Sequence, residues 1–254
     1  MKKKLLSILL CLVMVVGLLP TAAFAAGSVE INETNFPDAK FRSFVKENLD
    51  KNKDDILDAG EIAAVKKIEA NNKGIKSLKG VGFFTALETL KCWDNELTGL
   101  DLSKNTKLTS LSCSENELTA LDVSKNTELT RLYCGSNRLT ALDVSKNKKL
   151  EELDCESDSL LSYMKLTKLD VSQNKALKKL NCYGVKMKEL NVSGCTALVK
   201  LDCGGNQLDA LDVSTNVNLT ELRCSSNQLD ELDVSNNTKL KYLSCRNNLL
   251  AALD

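Results

Sequence analysis

The sequence predicts a solenoid, a chain wound into stacked coils around one elongated core, and three observations carry that expectation. Cysteines stand at 92, 113, 134, 155, 182, 203, 224 and 245, spaced by 21 residues with a single interval of 27. Self-similarity at such a fixed period marks a repeat architecture. The setting of the cysteine repeats as well: LSCSENELTALDVSKNTEL at 111–129 returns as LYCGSNRLTALDVSKNKKL at 132–150. Finally, Leu111 and Cys113 alternate with Ser110, Ser112 and Ser114, the period-two pattern of a strand with one buried face.

In chain order, residues 1–25 are set apart first. Three lysines precede an apolar run from Leu5 to Leu19, and Ala23-Phe24-Ala25 supplies a small-residue cleavage site, so the segment reads as a secretory signal peptide. The run is too short for a good spanning helix, and no other stretch could be inserted in a membrane. The expected location is therefore extracellular, secreted or associated with the cell envelope. Removing the signal leaves 31 basic against 34 acidic residues, a net charge of −3 with both signs scattered. That distribution offers nothing to nucleic acid, which wants clustered Lys and Arg. The chain has no histidine, which excludes a Ser-His-Asp triad, a Cys-His pair and any His-ligated metal.

Residues 26–69 are expected to form a small helical cap. Phe41, Phe44, Val45 and Leu49 have helical spacing, with Pro37 suited to a first turn. A second short helix is expected from Glu61, with Ile62, Val65 and Ile68 inward. Between them, the 12 residues from Asp50 to Glu61 resemble the EF-hand calcium loop. The resemblance places Asp50, Asn52 and Asp54 at ligand positions one, three and five, the Ile56 carbonyl at seven, Asp58 at nine, and Glu61 at twelve, where a bidentate carboxylate is needed. Leu57 supplies an apolar eighth position. The departure is Asp55 at position six, where the turn wants glycine; aspartate tolerates the left-handed conformation better than most residues. The implied cofactor is a weakly held, structural Ca²⁺ in a single hand, stiffening a cap over the first coil at Ala70, Ile75 and Leu78.

From 70 to 254 the chain reads as nine units, the last incomplete. Within one unit the apolar positions are Leu108, Leu111, Cys113, Leu118, Leu121 and Val123, giving L-x-x-L-x-C-x-x-N-x-L followed by LDVS. This pattern resembles the leucine-rich repeat, in the unit length and layout of bacterial secreted, internalin-like repeats. The resemblance implies a leucine-rich-repeat solenoid: a curved parallel β-sheet built from the L-x-C segments, with irregular, short helical or extended pieces on the convex side. One unit cannot fold alone, because about 2 kcal/mol per buried apolar side chain falls short of an ordering cost of about 1–2 kcal/mol per residue. Stacking must supply the remainder.

The cysteine is expected inside, as a small core hydrophobe. Neighbouring coils would set cysteines about 4.8 Å apart, whereas the Cβ atoms of a disulfide want about 3.5–4.5 Å, so a ladder of thiols is expected. A straight row also cannot bring four sulfurs to one tetrahedral zinc. Asn95, Asn116, Asn137, Asn206, Asn227 and Asn248 recur three residues after the cysteine, where an inward amide can bond the backbone of adjacent turns. Asp101, Asp122, Asp143, Asp170, Asp212 and Asp233 form an outward row of like charges. Either hydroxyls and amides of the following S-x-N satisfy them, or cations do.

Regularity fails around the unit of Cys155. Asp158 and Val185 replace ladder asparagines, Met187 a leucine and Cys195 the later asparagine, while six extra residues fall within ESDSLLSYMK, bringing Leu160, Leu161, Tyr163 and Met164. Positions filled by Ser110, Ser112 and Ser114 in a plain unit become Glu152, Asp154 and Glu156 there, with Arg131, Tyr133, Lys179 and Tyr183 in flanking units. Trp93 and Tyr242 fall on the same face, so scarce aromatics gather where they could anchor a ligand. The expected function is a secreted or surface binding module that takes a protein or glycan ligand on the concave face, the crowded acids favouring a cationic partner. The alternative is a structural spacer of a larger envelope protein, and a C-terminus without a capping segment suggests a fragment or a chain covered there by a partner. No enzyme is expected, and the oligomeric state is open.

Overall fold

The structure, a computed structural model, describes residues 27–157 and 164–251. The signal peptide expected at 1–25 lies outside the described residues. So do Asp158, Leu160, Leu161 and Tyr163.

The described chain starts with strand β1 (Val29–Glu30) and helix α1 (Ala39–Asn48), followed by strand β2 (Ile56–Leu57) and helix α2 (Ala59–Ala64). Phe41, Phe44 and Val45 bury the inner side of α1, and Leu49 is buried just beyond its end. Asp38, not Pro37, opens this helix: its Oδ1 accepts hydrogen bonds from the Lys40 and Phe41 amides at 2.9 Å each. Its Oδ2 accepts from the Lys76 and Ser77 amides at 2.8 and 3.2 Å. One carboxylate therefore both caps the helix and pins it to the first coil. Beside it Phe36, fully buried, packs against Phe41, Phe83 and Phe84 at centroid distances of 5.9, 5.7 and 6.5 Å.

Helix α2 begins two residues before the expected Glu61, because Asp58 and Glu61 form a reciprocal capping box. Val65 leaves the helix in an extended conformation, and Ile68 enters strand β3 (Lys67–Glu69), so it serves the sheet and not the helix. Two β-branched residues there favour extension over another helical turn.

Ten three-residue strands follow, one per unit except for a second in the units of Cys155 and Cys182: β4 (Thr89–Lys91), β5 (Ser110–Ser112), β6 (Arg131–Tyr133), β7 (Glu152–Asp154), β8 (Lys168–Asp170), β9 (Lys179–Asn181), β10 (Glu189–Asn191), β11 (Lys200–Asp202), β12 (Glu221–Arg223) and β13 (Tyr242–Ser244). Nine of these strands, from β3 to β13 without β8 and β10, form one parallel sheet in chain order. The longer interval between Cys155 and Cys182 does not break register, since Leu153 still faces Leu180. Strands β8 and β10 pair separately as a small parallel sheet on another side of the coil. The chain is thus a leucine-rich-repeat solenoid, with Leu90, Leu111, Leu132, Leu153, Leu180, Leu201 and Leu222 stacked at one register position, each at most 2% exposed. Ser110 departs from expectation: it is buried at 8% exposure, its short side chain overshadowed in the register between Thr89 and Arg131.

Three rows run the length of the core. Among the described residues the cysteines are free thiols, all buried except the partly exposed Cys245, and burial pushes Cys92 up to about 12. The first asparagines lie inward, as expected: Asn116 Nδ2 donates to the carbonyls of Cys92, Cys113 and Ser114 at 3.0–3.1 Å, and its Oδ1 accepts from the Leu97 amide at 3.0 Å. A third row was not foreseen. Asn105, Asn126, Asn147, Asn174, Asn216 and Asn237, the asparagines of S-x-N, are themselves buried. Asn126 Nδ2 donates to the Leu102 and Asn105 carbonyls at 3.1 and 2.9 Å, while among the described residues its Oδ1 accepts nothing. The outward aspartates are therefore not held by these asparagines but chiefly by the serine two residues on; Asp122 accepts from the Ser124 amide at 2.8 Å.

The two asparagine rows should differ in worth. Asn116→Ala strands the Leu97 amide and costs about 2–4 kcal/mol, whereas Asn126→Ala removes a half-satisfied side chain and costs about 1–2 kcal/mol. Cys195 donates to the Val171 carbonyl alone at 3.0 Å, so Cys195→Asn, by restoring a second donor, should be neutral or stabilising by up to about 1 kcal/mol. Urea melts of the three variants check the ranking.

Candidate functional site

Strands of a parallel sheet in exact register place equivalent residues of successive coils side by side. Along β6, β7, β9, β11, β12 and β13 the first strand residues form the row Arg131, Glu152, Lys179, Lys200, Glu221 and Tyr242. The third residues form the row Tyr133, Asp154, Asn181, Asp202, Arg223 and Ser244. These side chains alternate with the buried leucines and stand on the open face of the sheet.

The rows are stitched by charge. Lys179 Nζ lies 3.5 Å from Glu152, Lys200 Nζ 2.9 Å from Glu221, and Arg223 reaches Glu221 at 2.7 Å and Asp202 at 3.9 Å. The Arg223 guanidinium also sits over the Tyr242 ring, 5.3 Å from its centroid. Asn181 Nδ2 donates to Asp154 at 3.1 Å and to Glu156 at 2.6 Å. Between β7 and β12 these groups surround a shallow hollow of about 340 Å³. Of the residues singled out from the sequence, Arg131, Tyr133, Glu152, Asp154, Glu156, Lys179, Tyr183 and Tyr242 belong to this region. Trp93 does not: it follows β4, three strands from β7 and about 14 Å along the stack at 4.8 Å per strand. The expected acidic crowd is also corrected, since Lys179, Lys200 and Arg223 interleave the carboxylates.

Asn181, Lys200, Asp202, Glu221 and Arg223 were missed by sequence reasoning, although their places three and one before Cys182, Cys203 and Cys224 made them legible. Tyr183 owes its position to a sequence feature further on. The Cβ that any other residue would carry at Gly204 or Gly205 would lie 3.2 Å from its ring, so the Gly-Gly pair is what lets the ring lie against the next coil. It remains 42% exposed.

Burial raises the Asp154 and Asp202 carboxyls above the ordinary range, against the opposing hydrogen bond that the Glu156 amide donates to Asp154 and the Gly204 amide to Asp202. Burial, then the Glu152 carboxylate, pushes Tyr133 up to about 12. The outward aspartates go the other way, lowered chiefly by the serine two residues on. The sign of the pH dependence therefore differs. A turn aspartate contributes stability above its unfolded-state pKa and loses it as pH falls through the folded value; Asp154 and Asp202 contribute below theirs and lose it as pH rises through the folded value.

The loop from Asp50 to Glu61 folds its ends together. Asp50, 2% exposed, accepts from the Lys53 and Asp55 amides at 2.7 and 3.0 Å, and both of these residues take left-handed φ of 62° and 65°. Asp55 thus adopts the conformation asked of position six. Glu61 reaches back to accept from the Lys51 amide at 2.6 Å and the Asp58 amide at 3.0 Å. Asn52 and Asp54 bond each other, and Ile56 pairs with Glu30 in the β1–β2 ribbon. Among the described residues no three acidic or cysteine side chains stand in a metal-holding arrangement; the loop carboxylates point at amides. The donor set itself, all hard oxygen, fits calcium.

The sequence matches no protein-family model and no curated protein. Solved structures do match. The functional domain of InlJ from Listeria monocytogenes, which includes a cysteine ladder, is 37% identical with a TM-score of 0.82, over 89% of this chain and 49% of that one. The chain thus spans about half the length of that relative. An internalin C2 from the same organism is 23% identical with a TM-score of 0.60 over 91% of this chain and 93% of its own, a likeness of fold. The thiol ladder and the solenoid therefore recur together in a solved relative. No helix among the described residues is long and apolar enough to cross a membrane.

Carboxyl-carbon NMR over a pH titration should place Asp154 and Asp202 above the ordinary aspartate midpoint and the six turn aspartates below it. Overlapping midpoints would contradict the burial assigned to the hollow.

Proposed function

We propose that this chain is a secreted, non-enzymatic binding module that takes a protein ligand on the open face of its sheet, the side expected to be concave, between β6 and β13. The observation that carries the reading is the double row from Arg131 to Tyr242 and from Tyr133 to Arg223. Charged groups of both signs, already oriented by each other, surround two partly desolvated carboxylates and are bordered by the exposed rings of Tyr183 and Tyr242. Preformed polar groups beside rigid aromatics suit recognition, because little side-chain entropy is lost on docking. The mixture of signs favours a partner that carries both charges over a purely cationic one. A glycan could use the same tyrosines, and a spacer would need none of this side-chain order.

Arrays of surface proteins and of glycans probed with the mature chain separate these readings. A protein ligand found there should bind Asp154→Ala/Tyr183→Ala at least about tenfold more weakly, since two central contacts of about 1 kcal/mol each are lost. Ser225→Ala should bind as the parent does, and added salt should weaken binding. Equal affinities for all three proteins would move the site elsewhere, and no ligand on either array would favour the spacer.

We also propose that calcium completes the loop of the cap, held by Asp50, Asn52, Asp54, Asp58 and Glu61 with the Ile56 carbonyl. The support is the convergence of Glu61 on the start of the loop and the left-handed Asp55. A ligand that binds only the folded state raises the melting midpoint, so millimolar calcium should raise it relative to chelator, and Glu61→Gln should abolish the difference. Identical melting curves, or an unaltered response in the variant, would remove calcium from the cap.

A further inference from the structure

A second cavity lies away from the sheet. Where the cap meets the first two coils, a cleft of about 760 Å³ opens between Asn35 and the turns at 76–83 and 98–104. None of its lining residues belongs to a strand of the large sheet, so it is separate from the face assigned above. Its size falls within the range of small-molecule sites.

Its floor is apolar. Leu78 and Val81 are buried beneath it, and Phe83 and Leu100 are partly exposed to it. Room exists because two lining positions lack side chains: a Cβ built on Gly99 meets nothing within 4 Å, and one on Gly82 meets only the Lys104 stem at 3.5 Å. One wall is fixed by the cap. Gly80 adopts φ of 105°, and a Cβ there would come within 2.5 Å of the buried Phe36 ring, so the turn is pressed directly onto the aromatic cluster. The Asp38 carboxylate ties the preceding amides, those of Lys76 and Ser77, to helix α1.

The rim is basic. Lys76, Lys79 and Lys104 line the cleft against one acid, Asp101. Lys76 makes a long, exposed pair with Glu96 at 3.6 Å. Among the described residues Lys79 and Lys104 have no carboxylate partner within ion-pair distance, and the Asp101 carboxylate already accepts from the Ser103 amide at 2.9 Å. Elsewhere many exposed lysines find a neighbouring acid, as Lys149 does with Glu128 and Lys178 with Glu151. Here an apolar floor of leucine, valine and phenylalanine is joined to two ammonium groups without a close ion pair, Lys104 feeling the Asp101 carboxylate only through space, and to walls held rigid by the cap.

We propose that this cleft binds a small anionic amphiphile, with an apolar ring or short chain seated on Leu78, Val81, Phe83 and Leu100 and a single carboxylate beside Lys79 and Lys104. Charge complementarity selects the anion, and the apolar floor selects against a simple inorganic ion, which would gain nothing from it.

A matched pair of probes tests this on the mature chain: 2-naphthoate, and 2-naphthamide of the same shape without the charge. In amide-correlation NMR spectra, 2-naphthoate should shift the Gly82, Gly99 and Leu100 resonances saturably and bind at least about fivefold more tightly than 2-naphthamide, the scale of two exposed charge contacts. Lys79→Glu/Lys104→Glu should remove that preference while leaving naphthamide binding unchanged. Gly99→Phe, which fills open space, should block both probes while the amide spectrum of the remaining coils is retained. Equal affinity for the two probes, a preference that survives charge reversal, shifts centred on Asn181 and Tyr183, or no saturable shift would each overturn the assignment.

Discussion

Everything in this molecule depends on how a coil satisfies its own buried backbone. A coil that closes on itself within 21 residues must direct carbonyl groups inward, where water cannot reach them, and an unmet buried acceptor is costly. The inward amides of asparagine solve this by reaching across coils. Asn116 bonds the carbonyl of Cys92 one coil back and that of Cys113 in its own, and offers its oxygen to Leu97. Each coil thus completes its neighbour, which explains why one unit cannot fold alone and why the period is so strict. The second row does the same from the other corner with donors only, leaving Oδ1 atoms from Asn105 to Asn237 without a protein donor among the described residues. Where that row is broken, Cys195 fills the place with one weaker donor to Val171.

Fixing the interior in this way frees the exterior. Residues three and one before each cysteine face out of the sheet whatever they are, and register alone decides which ones meet. In the first two units they are Thr89, Lys91, Ser110 and Ser112, and between β6 and β13 they become a network of opposite charges with tyrosine at its edge. The tolerance for a longer unit after Cys155 has the same origin: β9 still takes the place beside β7 in the sheet, in unbroken register. Outer face and scaffold are thus separable, since the residues that vary on the sheet are not the ones that hold the coils together.

Much of this could be read from the sequence, for reasons that differ by element. The stacked leucines, the thiol row and the first asparagine row were legible because each depends on a position within the repeat. The left-handed Asp55 was legible because a 12-residue pattern fixes it. The second asparagine row was misread: Asn126 lies beside Asp122 and Ser124 in the sequence, and a local reading assigns its amide to the neighbouring carboxylate, whereas its partners lie 21 and 24 residues away. Ile68 was placed on a helix because spacing suited one, but pairing with β4 decides its conformation. The role of Lys200, Asp202, Glu221 and Arg223 needed only the register carried two coils further. The cleft beneath Lys79 and Lys104 could not be read, since it arises where the cap docks, from the space left by Gly82 and Gly99.

The central claim is that the core is held by stacking, with buried thiols at strand spacing, and not by covalent links. Counting reactive thiols in the mature protein, prepared without reductant, tests it most directly. The account predicts that the eight buried cysteines stay silent in the native state, that the partly exposed Cys245 reacts slowly, and that all become reactive in denaturant. Four disulfides, revealed as thiols that appear only after reduction, would contradict it.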